Sequence, residues 1–416
     1  MLRALYTAFL WLALPWIAFR LWLRSRKEPG YASNVAERFG VYTGKPGQPL
    51  LWIHAVSVGE VRASVPLVAG LKAAYPDYSV LVTCMTAAGR EAVGQAYGDT
   101  VLCVFLPYDY PFAVRRFLDR FRPRLAVLIE TELWINLLAG CARRSLPVVL
   151  ANARMSADSA RGYRRFAALT RPAFEGLAEV CAQSEADANR IAALGAHRVS
   201  VAGNLKFDVE ADARALEAGA AFKSTLGGRR VLLLASTREG EERLLLDAFC
   251  ARRTADVLLV VVPRHPRRFD EVAAAIAAAG LPLARRSRGE SITGASVLLG
   301  DSMGEMPFYY AAADVAVIGG SLLPFGGQNL IEACAIGVPV VIGPHVYNFS
   351  EAARLALECG AAEQVPDAAA AANEALALLE NPMRRKAMGE AGMALCASHR
   401  GATRRHLAAL RKHLPA

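Results

Sequence analysis

The sequence predicts an α/β protein in which two Rossmann-like, doubly wound domains follow an N-terminal membrane-anchor helix. Three observations predict it: two series of short apolar runs alternating with longer amphipathic stretches, a polar interruption between the series, and an uncharged apolar segment ahead of both. At 416 residues the chain exceeds one ordinary core, and domains of roughly 100–200 residues call for two large ones. A hydrophobic content of 54% with 21% charged residues supplies the apolar surface two cores need and excludes a disordered chain.

Residues 4–19 carry no charge and include Phe9, Leu10, Trp11, Leu12, Leu14, Trp16 and Ile17, with Arg20, Arg24, Arg26 and Lys27 directly after them. A cleaved signal peptide places its cations first and ends in small residues, so residues 1–27 read as an anchor and its basic flank. About 20 apolar residues is near the minimum for crossing a bilayer, which leaves open an interfacial helix and an amphipathic helix packed on the protein itself. The flank keeps everything beyond residue 24 in the cytoplasm.

A first Rossmann-like domain is expected over residues 28–205, where apolar runs at 51–55, 80–84, 101–106, 125–129, 148–151 and 180–182 read as strands of a parallel sheet covered on both faces. Residues 206–228, with Asp208, Glu210, Asp212, Glu217 and the Gly227-Gly228 pair, read as a linker. A second such domain follows over 229–416, with runs at 231–235, 257–262, 297–299, 315–318 and 338–342 and an Ala-rich helical tail from residue 367. Open parallel sheets bind ligands at the carboxyl ends of their strands, so the chemistry is sought in a crevice between the domains.

The net charge of +10 asks for an anionic partner: a phosphate-bearing ligand, a membrane or a nucleic acid. No recognisable nucleic-acid-binding motif is present, and nucleic acid is not expected. The eight cysteines show no Cys-x-x-Cys spacing and read as reduced core residues; with the seven histidines scattered as well, no metal site is expected. The chain lacks a Walker loop, a Gly-x-Gly-x-x-Gly run and any Asp-x-Asp, which disfavours ATP hydrolysis, dinucleotide binding and a metal-bridged sugar diphosphate. No cofactor is expected.

Candidate residues lie after the strands. Glu60, in Ser57-Val58-Gly59-Glu60, stands at a strand-to-helix turn; on its own such a carboxylate is more often a helix-start acid than a base. Glu130-Thr131-Glu132 ends the fourth run with two carboxylates, where Thr131 can equally cap a helix. Lys206 in Gly203-Asn204-Leu205-Lys206 offers a cation for an anionic centre. In the second domain Pro263, Arg264 and His265 end a strand, and Arg264 suits a phosphate or carboxylate. Gly304, Glu305 and Met306 precede a helix, and the glycines at 319–320 and 326–327 lead to Asn329, Leu330, Ile331 and Glu332. That glycine-rich run is expected to turn its backbone amides toward a phosphate, and Glu332 to accept ribose hydroxyls.

Taken in order, His54 to Glu60, the 130–136 run, Asn152 to Ser156, Gly203 to Asp208, Pro263 to His265 and Gly326 to Glu332 resemble the signature segments of 3-deoxy-D-manno-octulosonic acid (Kdo) transferases over essentially the whole chain. The resemblance implies a glycosyltransferase-B fold, a CMP-Kdo donor and the tetraacylated lipid A precursor, lipid IVA, as acceptor at the cytoplasmic leaflet of the inner membrane. It assigns Glu60 as the general base of an inverting displacement and Glu130 and Lys206 as stabilisers of the transition state. Residues 263–265, 304–306 and 329–332 would hold the cytidine monophosphate. The chain departs from the usual pattern at Ile135, Gln328 and Leu330. Two other readings stand beside this one: a sugar-nucleotide epimerase or another glycosyltransferase of the same fold, and a non-catalytic lipid-binding protein of the membrane surface.

Overall fold

The computed structural model describes residues 1–44, 47, 49–131, 133–251 and 256–414. Glu132 and the side chain of Lys27 lie outside the described residues. The chain forms two compact units, residues 1–209 with 400–416 and residues 210–399.

The first unit is built on seven parallel strands: β1 Leu50–His54, β2 Ser79–Cys84, β3 Leu102–Phe105, β4 Leu125–Ile129, β5 Val148–Ala153, β6 Glu179–Ala182 and β7 Val199–Val201, in the order β3-β2-β1-β4-β5-β6-β7. The order reverses beside β1, which pairs with β2 through Ile53 and Val82 and with β4 through Ile53 and Val127. Alternation along β1 feeds two cores. Leu50 and Trp52 pack with Phe117 and Leu128 on one face, and Leu51 and Ile53 with Val61 and Leu67 on the other. That two-sided burial makes the strands continuous apolar runs rather than alternating ones.

The second unit repeats the plan with β8 Arg230–Thr237, β9 Val257–Pro263, β10 Leu283–Arg285, β11 Val297–Leu299, β12 Val315–Ile318, β13 Val340–Ile342 and β14 Ala362–Gln364, in the order β10-β11-β9-β8-β12-β13-β14. Leu232, Leu234, Leu259 and Val261 fill a core with Phe249, Ile276 and Leu378 of the covering helices.

The units divide differently from the sequence reading. The segment 206–228 is not one linker: Leu205–Asp208 is a 3-10 turn of the first unit, and Ala213–Ser224 is a helix of the second, packed on the helix Met306–Ala312. The end of the expected second domain also changes side, since the helix Ala402–Arg411 packs in the first unit. Asp208 is the reason, because its carboxylate accepts the N–H groups of Gly401 (2.8 Å) and Thr403 (2.5 Å) at the start of that helix. Ala402, Ala409 and Leu410 then complete the core face of the sheet, and Gly70 on the helix Val58–Ala74 leaves room for Leu407.

Each sheet carries one bulge, and each bulge falls on a non-glycine residue with left-handed backbone. The β5–β6 register shifts between Leu150 and Ala153, where Asn152 has φ 53°, and the β8–β9 register shifts between Ala235 and Thr237, where Ser236 has φ 58°. Such bulges re-aim the chain at the end of a strand.

The N-terminal helix Leu2–Lys27 has a mean hydropathy of 1.5 over its most apolar window.

Candidate functional site

In the first unit the turn after β1 becomes a helix because Ser57 caps it. Ser57 Oγ accepts the Glu60 N–H at 3.4 Å and donates its own proton to Glu60 Oε1 at 2.8 Å, while the Val56 N–H donates to Glu60 Oε2 at 2.8 Å. This is a capping box, displaced by one residue from its usual backbone partner. Glu60 is 8% exposed, at the positive end of the Val58–Ala74 helix. These bonds orient the carboxylate at the start of the helix. His54, which precedes the turn, is buried; its Nδ1 meets Thr83 Oγ1 at 2.8 Å, and burial pushes its pKa down to about 4. A neutral imidazole there joins β1 to β2.

Glu130 follows β4 with φ 63°, a conformation that costs a side-chain-bearing residue on the order of 1 kcal/mol or more. Its N–H bonds to Ala151 O at 2.9 Å, and its Oε1 receives Lys206 Nζ at 3.1 Å, with both side chains mostly buried. Thr131 is not a helix cap: its hydroxyl donates to Arg154 O, and the next helix, Ile135–Ala142, is started by Asp109, which accepts the Asn136 N–H at 2.9 Å and the Leu137 N–H at 2.8 Å.

Lys206 reaches Glu130 because its turn is clamped from both sides. Asn204 Oδ1 accepts the Lys206 N–H at 3.0 Å, and Asn152 Oδ1 accepts the Leu205 N–H at 3.0 Å. Asn152 is held in turn by His406, whose Nε2 accepts the Asn152 N–H at 2.9 Å while Nδ1 bonds Ala402 O at 2.7 Å. An imidazole accepting at one nitrogen and donating at the other is neutral, and burial pushes the His406 pKa down to about 4. His406 was not singled out from the sequence; 254 positions separate it from Asn152, and no local signal joins them.

In the second unit β9 ends at Pro263, the Arg264 N–H bonds Thr237 O at 2.9 Å, and Arg264 Nε donates to Gln328 Oε1 at 3.2 Å. His265 is lowered from its ordinary pKa, first by burial and then by Arg238 and Arg264, so this strand end concentrates positive charge. Arg238, absent from the sequence candidates, sits in the turn after β8 with its guanidinium 4.2 Å from the centre of the Phe325 ring. Gly304 has φ 83°, a left-handed turn suited to glycine. Glu305 accepts Arg286 Nη2 at 2.8 Å and the Ser302 hydroxyl, which hold its carboxyl below its ordinary pKa, the arginine bond contributing most. Met306 Sδ lies 3.8 Å from Ser236 Oγ at the bulge. Asn329 Nδ2 donates to Glu332 Oε1 at 2.9 Å and its Oδ1 accepts the Ile331 N–H, while Leu330 and Ile331 are buried.

The glycine-rich run departs from expectation. The Gly319 N–H bonds Ala235 O at 2.8 Å, Gly320 N–H donates to Glu241 Oε2 at 2.6 Å, Gly327 N–H to Gly320 O at 2.7 Å and Gln328 N–H to Gly319 O at 3.0 Å. These four amides are used by β8, within the loop or by the fully buried Glu241, which also takes the N–H groups of Arg238 and Leu322. Gly319 is required because the Ser236 bulge passes too close for a side chain: an added Cβ would stand 2.5 Å from Ser236 O. The structure therefore brings Glu60, Glu130 and Lys206 to the strand ends of the first sheet, and Arg264, His265, Met306 and Gln328 to those of the second.

Two seven-stranded parallel sheets, with carboxylates and a lysine on one and guanidinium groups beside a self-bonded glycine loop on the other, define a glycosyltransferase of the GT-B class. Residues 33–209 match the family model 3-Deoxy-D-manno-octulosonic-acid transferase (kdotransferase), and residues 290–394 match Glycosyl transferases group 1. The chain is 46% identical to a 3-deoxy-D-manno-octulosonic acid transferase of Bordetella pertussis, over 98% of both chains, and 36% identical to one of Haemophilus influenzae, over 100% of this chain and 99% of that one. It belongs to the Kdo transferase family. Its fold is also similar to that of a putative UDP-N-acetylglucosamine 2-epimerase from Listeria monocytogenes, with 14% identity and a TM-score of 0.60 over 89% of this chain and 97% of that one, a likeness of fold alone.

Proposed function

We propose that the chain transfers Kdo from CMP-Kdo to the lipid A precursor, lipid IVA, with inversion at the anomeric carbon, at the cytoplasmic leaflet of the inner membrane. The observation that carries this reading, in a chain of this family, is a carboxylate fixed at a helix N-terminus, Glu60, in the same unit as the Lys206–Glu130 pair at 3.1 Å. Glu60 takes the proton of the acceptor hydroxyl as its oxygen bonds the anomeric carbon, and the bond from that carbon to the phosphate oxygen breaks to release CMP. Charge grows on the departing phosphate, and the Lys206 ammonium stabilises that growth. Glu130 orients Lys206. The second unit holds the donor through residues 263–265, 304–306 and 329–332, with Arg264 on an anionic group and Glu332, steadied by Asn329, on the ribose hydroxyls. Because its own bonds occupy most of the glycine-loop amides, the anion is held chiefly by side chains.

The test is to incubate the purified protein with CMP-Kdo and lipid IVA in excess EDTA and weigh the product. A mass increase of one or more Kdo units is expected, without added metal. Transfer from a uridine nucleotide sugar instead, or activity that appears only with magnesium, overturns the reading.

A further inference from the structure

The N-terminal helix rests on the first unit by one stripe. Its half-buried residues are Tyr6, Thr7, Leu10, Ala13, Leu14, Ile17, Leu21 and Ser25, a stripe with helical spacing. The contacts near its start are polar. The Tyr6 hydroxyl donates to Asp109 Oδ2 at 3.0 Å, Asn136 Nδ2 donates to Thr7 Oγ1 at 3.1 Å, and the Tyr110 hydroxyl donates to Leu10 O at 2.7 Å, while Trp11 stands 5.1 Å from Tyr110. Away from the stripe the helix is apolar and exposed, with Phe9, Leu12, Trp16 and Phe19 each more than half exposed. Arg20 and Arg26 lie over the rings of Trp16 and Trp22.

These facts conflict with a helix that crosses the bilayer. Crossing would take about 20 residues through roughly 30 Å of hydrocarbon. The residues available for it are the same ones that hold Asp109, Asn136 and Tyr110, so crossing would either break those bonds, each polar group left buried without a partner costing several kcal/mol, or draw the Asp109 carboxylate and the polar start of the Ile135–Ala142 helix into the hydrocarbon. A helix with one stripe on its own protein, and a remainder of Trp, Phe, Leu and Arg, suits the headgroup boundary, where indoles and guanidiniums meet both media. Exposed arginines along it add attraction to anionic lipids.

We propose that the helix Leu2–Lys27 lies in the plane of the membrane interface, one stripe fixed to the first unit and the other faces in the bilayer surface, and does not cross it. The proposal rests on the reading above that a membrane is this chain's partner. It places the bilayer beside the Ile135–Ala142 helix, five residues beyond Glu130, so that the anchor and the reaction share one rigid support.

The test is the location of a short epitope placed ahead of Met1 in the full chain, in sealed inverted inner-membrane vesicles and in intact spheroplasts. Protease is expected to remove the epitope from the vesicles and spare it in the spheroplasts; the reverse pattern means a spanning helix and overturns the proposal. Recovery of the protein wholly in the soluble fraction overturns it as well. Transfer from CMP-Kdo to detergent-dispersed acceptor, measured on the same preparation, reports separately on the proposed function. A second measurement reads the docking itself. Tyr6→Phe with Tyr110→Phe is expected to leave the epitope where it was and to raise hydrogen exchange of the 135–142 amides several-fold, and unchanged exchange shows that these contacts do not hold the helix.

Discussion

The two sheets share a topology and a distortion and put the distortion to different use. In the first unit the bulge at Asn152 turns a side chain inward, and its amide oxygen and backbone N–H tie the Lys206 turn to His406. In the second the bulge at Ser236 turns backbone toward Gly319, and the loop beyond it is secured by one carboxylate, Glu241. The first arrangement fixes charged side chains at short range; the second fixes a loop beside the Arg238 and Arg264 guanidinium groups. On the function proposed above, the first unit is organised around proton and charge transfer, and the second around holding an anion.

That contrast is open to attack at graded cost. The largest effect is expected at Glu60, where Glu60→Gln retains an oxygen for the Val56 or Ser57 donor but cannot accept the acceptor proton; turnover should fall roughly 10²–10⁴-fold with donor binding unchanged. A near-normal rate removes Glu60 from the chemistry and leaves it a helix cap. Next is Lys206→Met, which strips the Glu130 carboxylate of its cation and should lower kcat about 10²–10³-fold, an effect of the size seen for lost electrostatic stabilisers. If KM for the donor rises and kcat does not move, the first unit binds the donor and the division proposed here fails.

In the second unit Arg264→Lys keeps the charge and loses the planar fork, so donor KM should rise about tenfold, equivalent to about 1.4 kcal/mol, with little change in kcat. A fall in kcat alone would assign Arg264 to chemistry.

The smallest effect on rate, and the most specific to the first unit's clamp, concerns pH. His54 and His406 are lowered from 6.5 to about 4, so the unfolded chain binds more protons between those values and the stability they contribute is lost as pH falls from 6.5 through 4. At about 1.4 kcal/mol per pH unit each is worth at most roughly 3–4 kcal/mol. Asp109, raised by burial from 3.8 to about 6, opposes one of them, since its contribution is present at low pH and lost as pH rises through 6. Urea unfolding midpoints should therefore fall on acidification from pH 6.5 to 4.5, and His406→Gln should flatten that slope while leaving the neutral rate nearly unchanged. A variant with the original slope would show that His406 is not buried neutral.

Central strands were legible in the sequence because burial on both faces makes them unbroken apolar runs; β4, β11 and β12 begin and end where their runs do. The strands not anticipated, β7, β10 and β14, have three residues each and lie at sheet edges, where polar residues such as Ser200, Arg285 and Glu363 break the run. Glu60, Glu130 and Lys206 were legible because they follow strands. Asp109 and Glu241 were not, since a carboxylate that gathers another segment's amides has no spacing of its own to betray it. The glycine loop misled for a related reason: glycine satisfies a neighbouring bulge as readily as it admits a ligand, and only Ser236 tells the two apart.

The return of the chain to the first unit at residue 400 also orders events in time. The clamp on Lys206 includes His406 and the helix start held by Asp208, and 190 residues of the second unit, 210 to 399, are made between Asp208 and that helix. At roughly 5–20 residues per second, that is about 10–40 s of synthesis during which the N-terminal helix and the carboxylates already exist and the lysine's support does not. The N-terminal helix thus leaves the ribosome long before its own unit is complete, and the strut behind Lys206 is among the last parts to arrive.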